Sequence, residues 1–425
     1  MKIKTAFFIA LRYLIGKRGG GRYLVGAAFG IALSLVPIMV TLIVADGMIR
    51  GITDRFLELG TGHIQVWENG RTLRGDSLSL EDAAETIREN PRVRGVWAET
   101  QGLGIILGFK GRTGVTIRAV ESGFWQDEGS AKYLEIIDGD SRIEQDNEAL
   151  LGESLAETAG VQVGDTIRVM TVRETADGRT IPRTTLFKVK GIVSAGYHEL
   201  DSLWCIVNYA AGKRIFANSL SRSTLLVKVD APYRNIAETA FDLLADLNFG
   251  FGVYTWRELQ AAQYDSYEST RQLLLFIMTL IVLVAAVNVS SATSMLTIER
   301  YRDIAILKAG GTSPREVSTV FVLAALVTGI IGTVFGISTG LLIGSFINPL
   351  IHGLERILTL IARPFSGADI KILDPGFYLE NIPIVIDGNT VLTIAFFAIL
   401  SSVAAAYIPA RRAALQKPAA LLHKI

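Results

Sequence analysis

The chain has 425 residues, a net charge of +1 and 20% charged residues. Its mean hydropathy of +0.37 is too high for an ordinary soluble protein and too low for a carrier with spans throughout, so a mixed architecture is expected, part membrane and part globular. The near-zero charge gives no basis for a nucleic-acid partner, the single cysteine, Cys205, excludes an intrachain disulfide, and four histidines far apart in sequence (His63, His198, His352, His423) argue against a metal centre.

The chain opens with a short amphipathic stretch, Thr5 to Ile15, in which Phe7, Phe8, Leu11, Leu14 and Ile15 share one helical face. Residues 1–22 are read as an elbow helix on the cytoplasmic face of a membrane. No Asp, Glu, Lys or Arg falls between Arg22 and Asp46. A span needs about 20 apolar residues, and a charge at the bilayer centre costs roughly 2.5–3.5 kcal/mol. Residues 23–47 are therefore read as a first span. The run is too long for a signal-peptide core and lacks a small-residue cleavage site, so it is expected to be retained. Pro37 lies within it and is expected to bend the helix.

Residues 48–270 read as a mixed α and β domain. His63–Trp67 alternates like a strand, Ser79–Glu89 carries helix-start signals, and Gly104–Phe109 and Gly114–Val120 flank a Gly/Arg turn like a hairpin. Further strands are expected at 149–151, 166–172, 185–193, 203–207, 224–229 and 252–255, with a helix over Ile236–Leu247. Charge-free runs return between Arg271 and Glu299, between Glu316 and Glu355 and between Asp387 and Arg411, on which span two (271–298), span three (316–347) and span four (390–410) are placed. Between them lie a basic loop over 299–315, a loop over 348–389, and a tail over 411–425. In span three Gly332, Gly336, Gly340 and Gly344 recur every fourth residue, which sets them on one stripe. Such a stripe serves either a tight interface in a moving bundle or ordinary intramembrane packing. The fold class is thus a membrane protein of four transmembrane α-helices with a large α+β extracytoplasmic domain inserted between the first two.

Basic residues set the orientation. Lys2, Lys4, Arg12, Lys17, Arg18 and Arg22 precede span one, Arg300, Arg302, Lys308 and Arg315 sit between spans two and three, and Arg411, Arg412, Lys417 and Lys424 follow span four. All three segments lie on one side of a four-span protein, which the positive-inside rule makes cytoplasmic, so both termini are expected inside the inner (plasma) membrane. No phosphate-binding G-x-x-x-x-G-K-S/T motif occurs, and no triad or paired carboxylate stands out. The chain is read as no enzyme and as binding no cofactor itself.

Three motifs carry a resemblance. Ile298-Glu299-Arg300-Tyr301-Arg302-Asp303-Ile304-Ala305-Ile306-Leu307-Lys308-Ala309-Gly310-Gly311-Thr312-Ser313 follows span two, Pro409-Ala410-Arg411-Arg412-Ala413 through Pro418-Ala419-Ala420-Leu421-Leu422 ends the chain, and Leu151-Gly152-Glu153-Ser154-Leu155-Ala156 precedes Gly160-Val161-Gln162-Val163-Gly164-Asp165. In this topology they resemble the four-span permeases of the MacB/FtsX/Lol group of ABC transporters. Phe8-Ile9-Ala10-Leu11-Arg12-Tyr13 resembles the opening of the lipoprotein-releasing permeases LolC and LolE in particular.

The resemblance implies a separate cytoplasmic ATPase, with ATP and Mg on that subunit, docking on a coupling helix that uses Glu299, Arg300, Asp303, Ile304, Leu307, Lys308 and Gly310. Ile304, Ile306 and Leu307 would form its apolar ridge. The resemblance also implies a second permease copy or paralogue, and a lipid cavity lined by Val36, Val40, Val44 and Met48 of span one and Phe276, Leu280 and Val284 of span two. It implies a lipoprotein substrate and a hook for a periplasmic carrier at Arg179, Ile181, Pro182 and Arg183. The alternatives are an FtsX-like mechanotransmission permease and a MacB-like export permease.

Overall fold

The computed structural model describes residues 3–15, 21–68, 79–174, 180–216, 222–247, 250–366, 379 and 381–416. Arg179 and the chain end from 417 onward lie outside these, and with them one expected hook residue and the last part of the C-terminal motif.

Helix α1 (Ile3–Ile15) precedes α2 (Gly21–Arg55), which ends in a π-helical turn, Phe56–Thr61. The inserted domain follows as β1 (Ile64–Glu68), α3 (Leu80–Arg88), β2 (Val93–Leu107), β3 (Arg112–Val120), α4 (Gly123–Gln126), α5 (Glu128–Tyr133), β4 (Glu135–Gly139) and β5 (Glu148–Gly152). It continues through α6 (Glu153–Ala159), β6 (Thr166–Glu174), β7 (Thr180–Ser194), α7 (His198–Asp201), β8 (Trp204–Asn208), α8 (Tyr209–Ile215), β9 (Arg222–Val229), α9 (Ile236–Asp246), β10 (Phe251–Thr255) and α10 (Trp256–Leu259). Helix α11 (Ala261–Glu299), the short α12 (Tyr301–Ala309), α13 (Pro314–Ser345), α14 (Ile347–Ser366) and α15 (Gly388–Leu415) complete it. Helices α2, α11, α13 and α15 are long and apolar enough to cross a membrane. The chain divides into two compact units, Met1–Gly47 with Ser266–Ser366 and Ile382–Ile425, and Met48–Asp265 with Gly367–Asn381. Two of the divisions therefore fall inside helices α2 and α11.

In the first unit the glycines of α13 face α2. A Cβ on Gly332 would lie 2.7 Å from the Ala28 carbonyl oxygen, one on Gly336 2.9 Å from Leu35 Cβ, and one on Gly340 2.6 Å from Met39 Cβ. Gly344 meets Ile43 in the same way. The partners climb α2 as the glycines climb α13, so the two helices run parallel with their backbones close together. The remaining contacts are knit by Ile31, Leu35, Ile38 and Leu42 of α2, Met278, Val282 and Val289 of α11, and the small Ala325, Ala398 and Ala406. Helix α2 stays helical through Pro37. On α1, Ala6, Ala10 and Tyr13 pack with Val317, Val320 and Phe321 of α13, leaving Phe7 and Phe8 outward.

One expectation fails here. The stretch 348–389 does not begin as a loop, because α14 occupies Ile347–Ser366. Leu350, Leu354, Ile357 and Ile361 recur at helical spacing beneath a polar face of His352, Glu355, Arg356 and Thr359. A search for charge-free runs overlooks such a helix, whose signal lies in its period.

The second unit has two lobes sharing the long strand β2. The first half of β2 joins the antiparallel order β10–β1–β9–β2, with α3 and α9 packed against that sheet. Its second half enters a ring, since β2 pairs β3, β3 pairs β8, β8 pairs β5, β5 pairs β7, β7 pairs β6, and β6 returns to β2. These six strands close a barrel filled by Ile106, Ile117, Leu151, Val169, Phe187 and Val207. Closure removes the unpaired edges that an open sheet of these strands would otherwise present. Cys205 is inside this barrel, where burial pushes its thiol up to about 12 and keeps it unreactive.

The end of α2 is built into this second unit. The last carbonyls of a helix lack intrahelical partners and carry its negative dipole end. Arg118 of β3 meets them from inside the domain, with Nη1 donating to Leu59 O (2.5 Å), Nη2 to Gly60 O (2.9 Å) and Nε to Glu99 (2.7 Å). In the same turn Glu58 takes an ion pair from Lys228 (3.0 Å) and contacts His63 (3.1 Å). Lys228 is 0% exposed and also reaches Asp127 (2.9 Å) and Ser130 Oγ (2.6 Å). Tyr133 and Tyr233 both donate to Asp54, and Arg55 donates to Ala195 O (2.6 Å). Strand β1 leaves this clamp directly and pairs with β10, Ile64 opposite Thr255. The entry to α11 is fixed beside it, as Trp256 donates its backbone N–H to His63 O and packs on Tyr264.

Burial alone would raise the Asp127 carboxyl, but the Lys228 hydrogen bond and charge outweigh it and hold it below the usual range. Its contribution is thus present above about pH 4 and is lost as pH falls through the lower folded value. Breaking a buried charge pair costs roughly 3–5 kcal/mol; here Arg94 still reaches Asp127 (2.8 Å) and Glu58 (3.4 Å), so the loss falls at the lower end, about 3 kcal/mol. Lys228→Met is therefore expected to destabilise the inserted domain by about that amount, read as faster amide exchange in β9 and residues 57–66 of the full chain. Unchanged protection would contradict the clamp. In the bundle, Gly340→Leu is expected to lower the thermal unfolding temperature in detergent, whereas Gly353→Ala, with nothing within 4 Å of the added carbon, is expected to leave it unchanged.

Candidate functional site

Helix α12 connects the crossing helices α11 and α13. Arg300 interrupts the helix at its start, and Gly311, at φ +83°, turns the chain at its end before Ser313 and Glu316 cap α13 with reciprocal hydrogen bonds. Its inner side belongs to the bundle, because Ile304 and Ala305 are buried with Leu296, Val317 and Ala410. Polar ties hold it in place. The Arg300 guanidinium sits 4.9 Å over the Tyr13 ring and pairs with Asp303, Lys308 donates to Gln416 O (2.6 Å), and Gln416 donates to the Tyr301 hydroxyl (3.2 Å).

What remains outward is one stripe, Glu299, Arg302, Ile306 and Gly310, three or four residues apart. Ile306 is 64% exposed, an apolar side chain with polar residues around it. This corrects the expected ridge. Ile304 faces inward because it completes the bundle core, Leu307 is half-buried, and Arg300, Asp303 and Lys308 are engaged within the chain. Arg302 was not singled out beforehand, since its neighbours on the stripe are defined only once the inner face is known.

At the opposite ends of the spans, Arg271 of α11 pairs with Asp46 of α2 (3.2 Å) and donates to Thr390 of α15 (3.4 Å). Thr390 in turn donates to Asp387, which caps α15. Charges are expensive in hydrocarbon, so this group, drawn from three helices, marks the membrane edge. Beside it Gly47 lies so close to Pro383 and Ile382 that a side chain has no room, and Asn348 exchanges two hydrogen bonds with the Ile382 backbone (2.9 and 3.1 Å).

The residues expected to line a lipid cavity fall on two helices. Val36, Val40, Val44 and Met48 are half-buried along α2. Phe276, Leu280 and Val284 stand outward from α11, at 64%, 47% and 64% exposure, in line with Leu273 and Val287. The α2 and α11 residues that join the bundle's buried core are others, Leu35, Ile38, Met278 and Val282 among them. In the inserted domain β6 and β7 pair from Thr166↔Lys188 out to Glu174↔Thr180, beyond the short contact with β2. Ile181 and Pro182 are exposed on this hairpin, and Arg183 is held by a hydrogen bond to Arg214 O (2.9 Å). Among the described residues no group of three or more His, Cys, Asp or Glu side chains is gathered for a metal.

Comparison with known proteins gives two family matches, a MacB-like periplasmic core domain over residues 24–242, just over half of the chain, and an FtsX-like permease C-terminal region over 275–418. The chain is similar to the lipoprotein-releasing system transmembrane protein LolC of Xylella fastidiosa, 29% identical over 419 residues and covering 97% of each chain. LolC of Neisseria meningitidis is 26% identical, with 98% of each chain covered, and LolE of Haemophilus influenzae 22%, with 99% of each. The four crossing helices, the ten-stranded insert and these matches agree, and the chain belongs to the MacB-like periplasmic core domain family, as a membrane permease of the MacB/FtsX/Lol group of ABC transporters.

Proposed function

We propose that the chain is the moving membrane subunit of a lipoprotein-releasing transporter, driven by a separate ATPase that carries ATP and Mg. The observation that carries this reading is the outward stripe at α12, an exposed Ile306 one turn beyond Arg302 on a short helix whose other side is built into the bundle. A partner groove that receives this stripe grips α11 and α13 together. The basic residues flanking α1, α12 and the end of α15 favour the inner side of the inner membrane for this face and for both termini.

Movement then passes along α2 and α11, which continue without a break into the residues of the inserted domain. The outward apolar stripe of α11 (Phe276, Leu280, Val284) and the half-buried Val36, Val40, Val44 and Met48 of α2 offer a surface for acyl chains, enclosed by a second permease copy or paralogue. Pulling lipid chains from a bilayer opposes about 0.8 kcal/mol for each buried CH₂, so extraction needs an external energy source. The exposed Ile181 and Pro182, with Arg183 and Arg179, are the proposed contact for a periplasmic carrier. Likeness to LolC and LolE over nearly their whole length supports the lipoprotein reading over a purely mechanical, FtsX-like signal.

The test separates docking from folding. Ile306→Asp is expected to abolish co-purification with the ATPase while leaving thermal stability unchanged, because the side chain is already in solvent. Ile304→Asp is expected to destabilise the bundle itself. Retained ATPase binding by the Ile306 variant would remove α12 as the docking element.

A further inference from the structure

Helix α14 leaves four large apolar side chains, Leu350, Leu354, Ile357 and Ile361, on one unpartnered stripe, each half or more exposed, with Leu360 (72%) at its flank. The opposite face carries Asn348, His352, Glu355, Arg356 and Thr359. A helix wholly in water does not keep such a stripe uncovered. Its position says what covers it. Only Phe346 separates α14 from the crossing helix α13, and the outward Leu342 and Phe346 run on into Leu350. The start of α14 is also fixed in depth. Asn348 holds Ile382, Ile382 and Pro383 abut Gly47, and the preceding residue of α2, Asp46, belongs to the Arg271 ion pair at the membrane edge.

We propose that α14 lies in the membrane–water boundary on the side that carries the inserted domain, with its apolar stripe in the lipid acyl region and its polar face in water. This rests on the membrane-spanning fold and is independent of the cargo. The covering partner is the bilayer, whose hydrocarbon already contacts the adjoining turn of α13. The polar face mixes His352, Glu355 and Arg356, so attachment depends on apolar burial rather than on anionic headgroups. Helix α14 then acts as a float that holds the adjoining end of α13 at the height of the boundary.

Spin labels on introduced cysteines test this in the full chain in phosphatidylcholine nanodiscs; the native Cys205 is fully buried and does not compete. Leu354→Cys, Ile357→Cys and Ile361→Cys are expected to show several-fold higher accessibility to oxygen than to a water-soluble nickel complex. His352→Cys and Arg356→Cys are expected to show the reverse. Equal nickel accessibility at all five positions would overturn the proposal by placing the helix in water. Low accessibility to both reagents at 354, 357 and 361 would overturn it as well, by showing a protein partner on the stripe.

Discussion

The architecture depends on two buried cations placed against the end of one helix. Arg118 and Lys228 come from separate strands of the inserted domain and converge on the last two turns of α2, one on its free carbonyls and the other on Glu58. Each cation is expensive to bury and is tolerated because its donors are used, Arg118 on Glu99, Leu59 and Gly60, and Lys228 on Glu58, Asp127 and Ser130. Such a site has narrow geometry. A sheet that shifted relative to α2 would strand a charge in the core, so the helix end and the domain are held as one piece.

The membrane part is tied to α2 by different physics. Four glycines of α13 bring its backbone against Ala28, Leu35, Met39 and Ile43, where close packing over a long contact replaces the hydrophobic drive that lipid cannot supply. The same α13 begins at the capped turn after α12, and α12 is stitched to α1 and α15 through Arg300 and Lys308. Under the proposed docking, a push on Ile306 would meet a helix already joined to the bundle. Asp46 and Arg271 add a polar tie between α2 and α11 at the membrane edge, one that separation of these helices has to break.

Much of this was legible in the sequence wherever the signal was local. Charge-free runs gave the four crossing helices, Ser79 and Asp82 marked the start of α3, and the four-residue spacing of Gly332 to Gly344 revealed the stripe. The barrel was not legible, because its closure depends on β6 returning to β2, a pairing of residues more than sixty positions apart with no motif to announce it. Arg118 and Lys228 read as ordinary strand residues for the same reason. On α12 the facing was not legible, since Ile304 and Ile306 are chemically alike and only the position of α1 and α13 decides which is covered. Helix α14 was hidden by its charges, although its apolar period was present throughout.

The central claim of the proposed function is that motion of the bundle reaches the inserted domain through α2. The most direct test inserts a short Gly-Ser segment between Ile49 and Arg50 and measures lipoprotein released per ATP hydrolysed in proteoliposomes containing the ATPase. The account expects hydrolysis to continue and the ratio to fall to background; an unchanged ratio would contradict it.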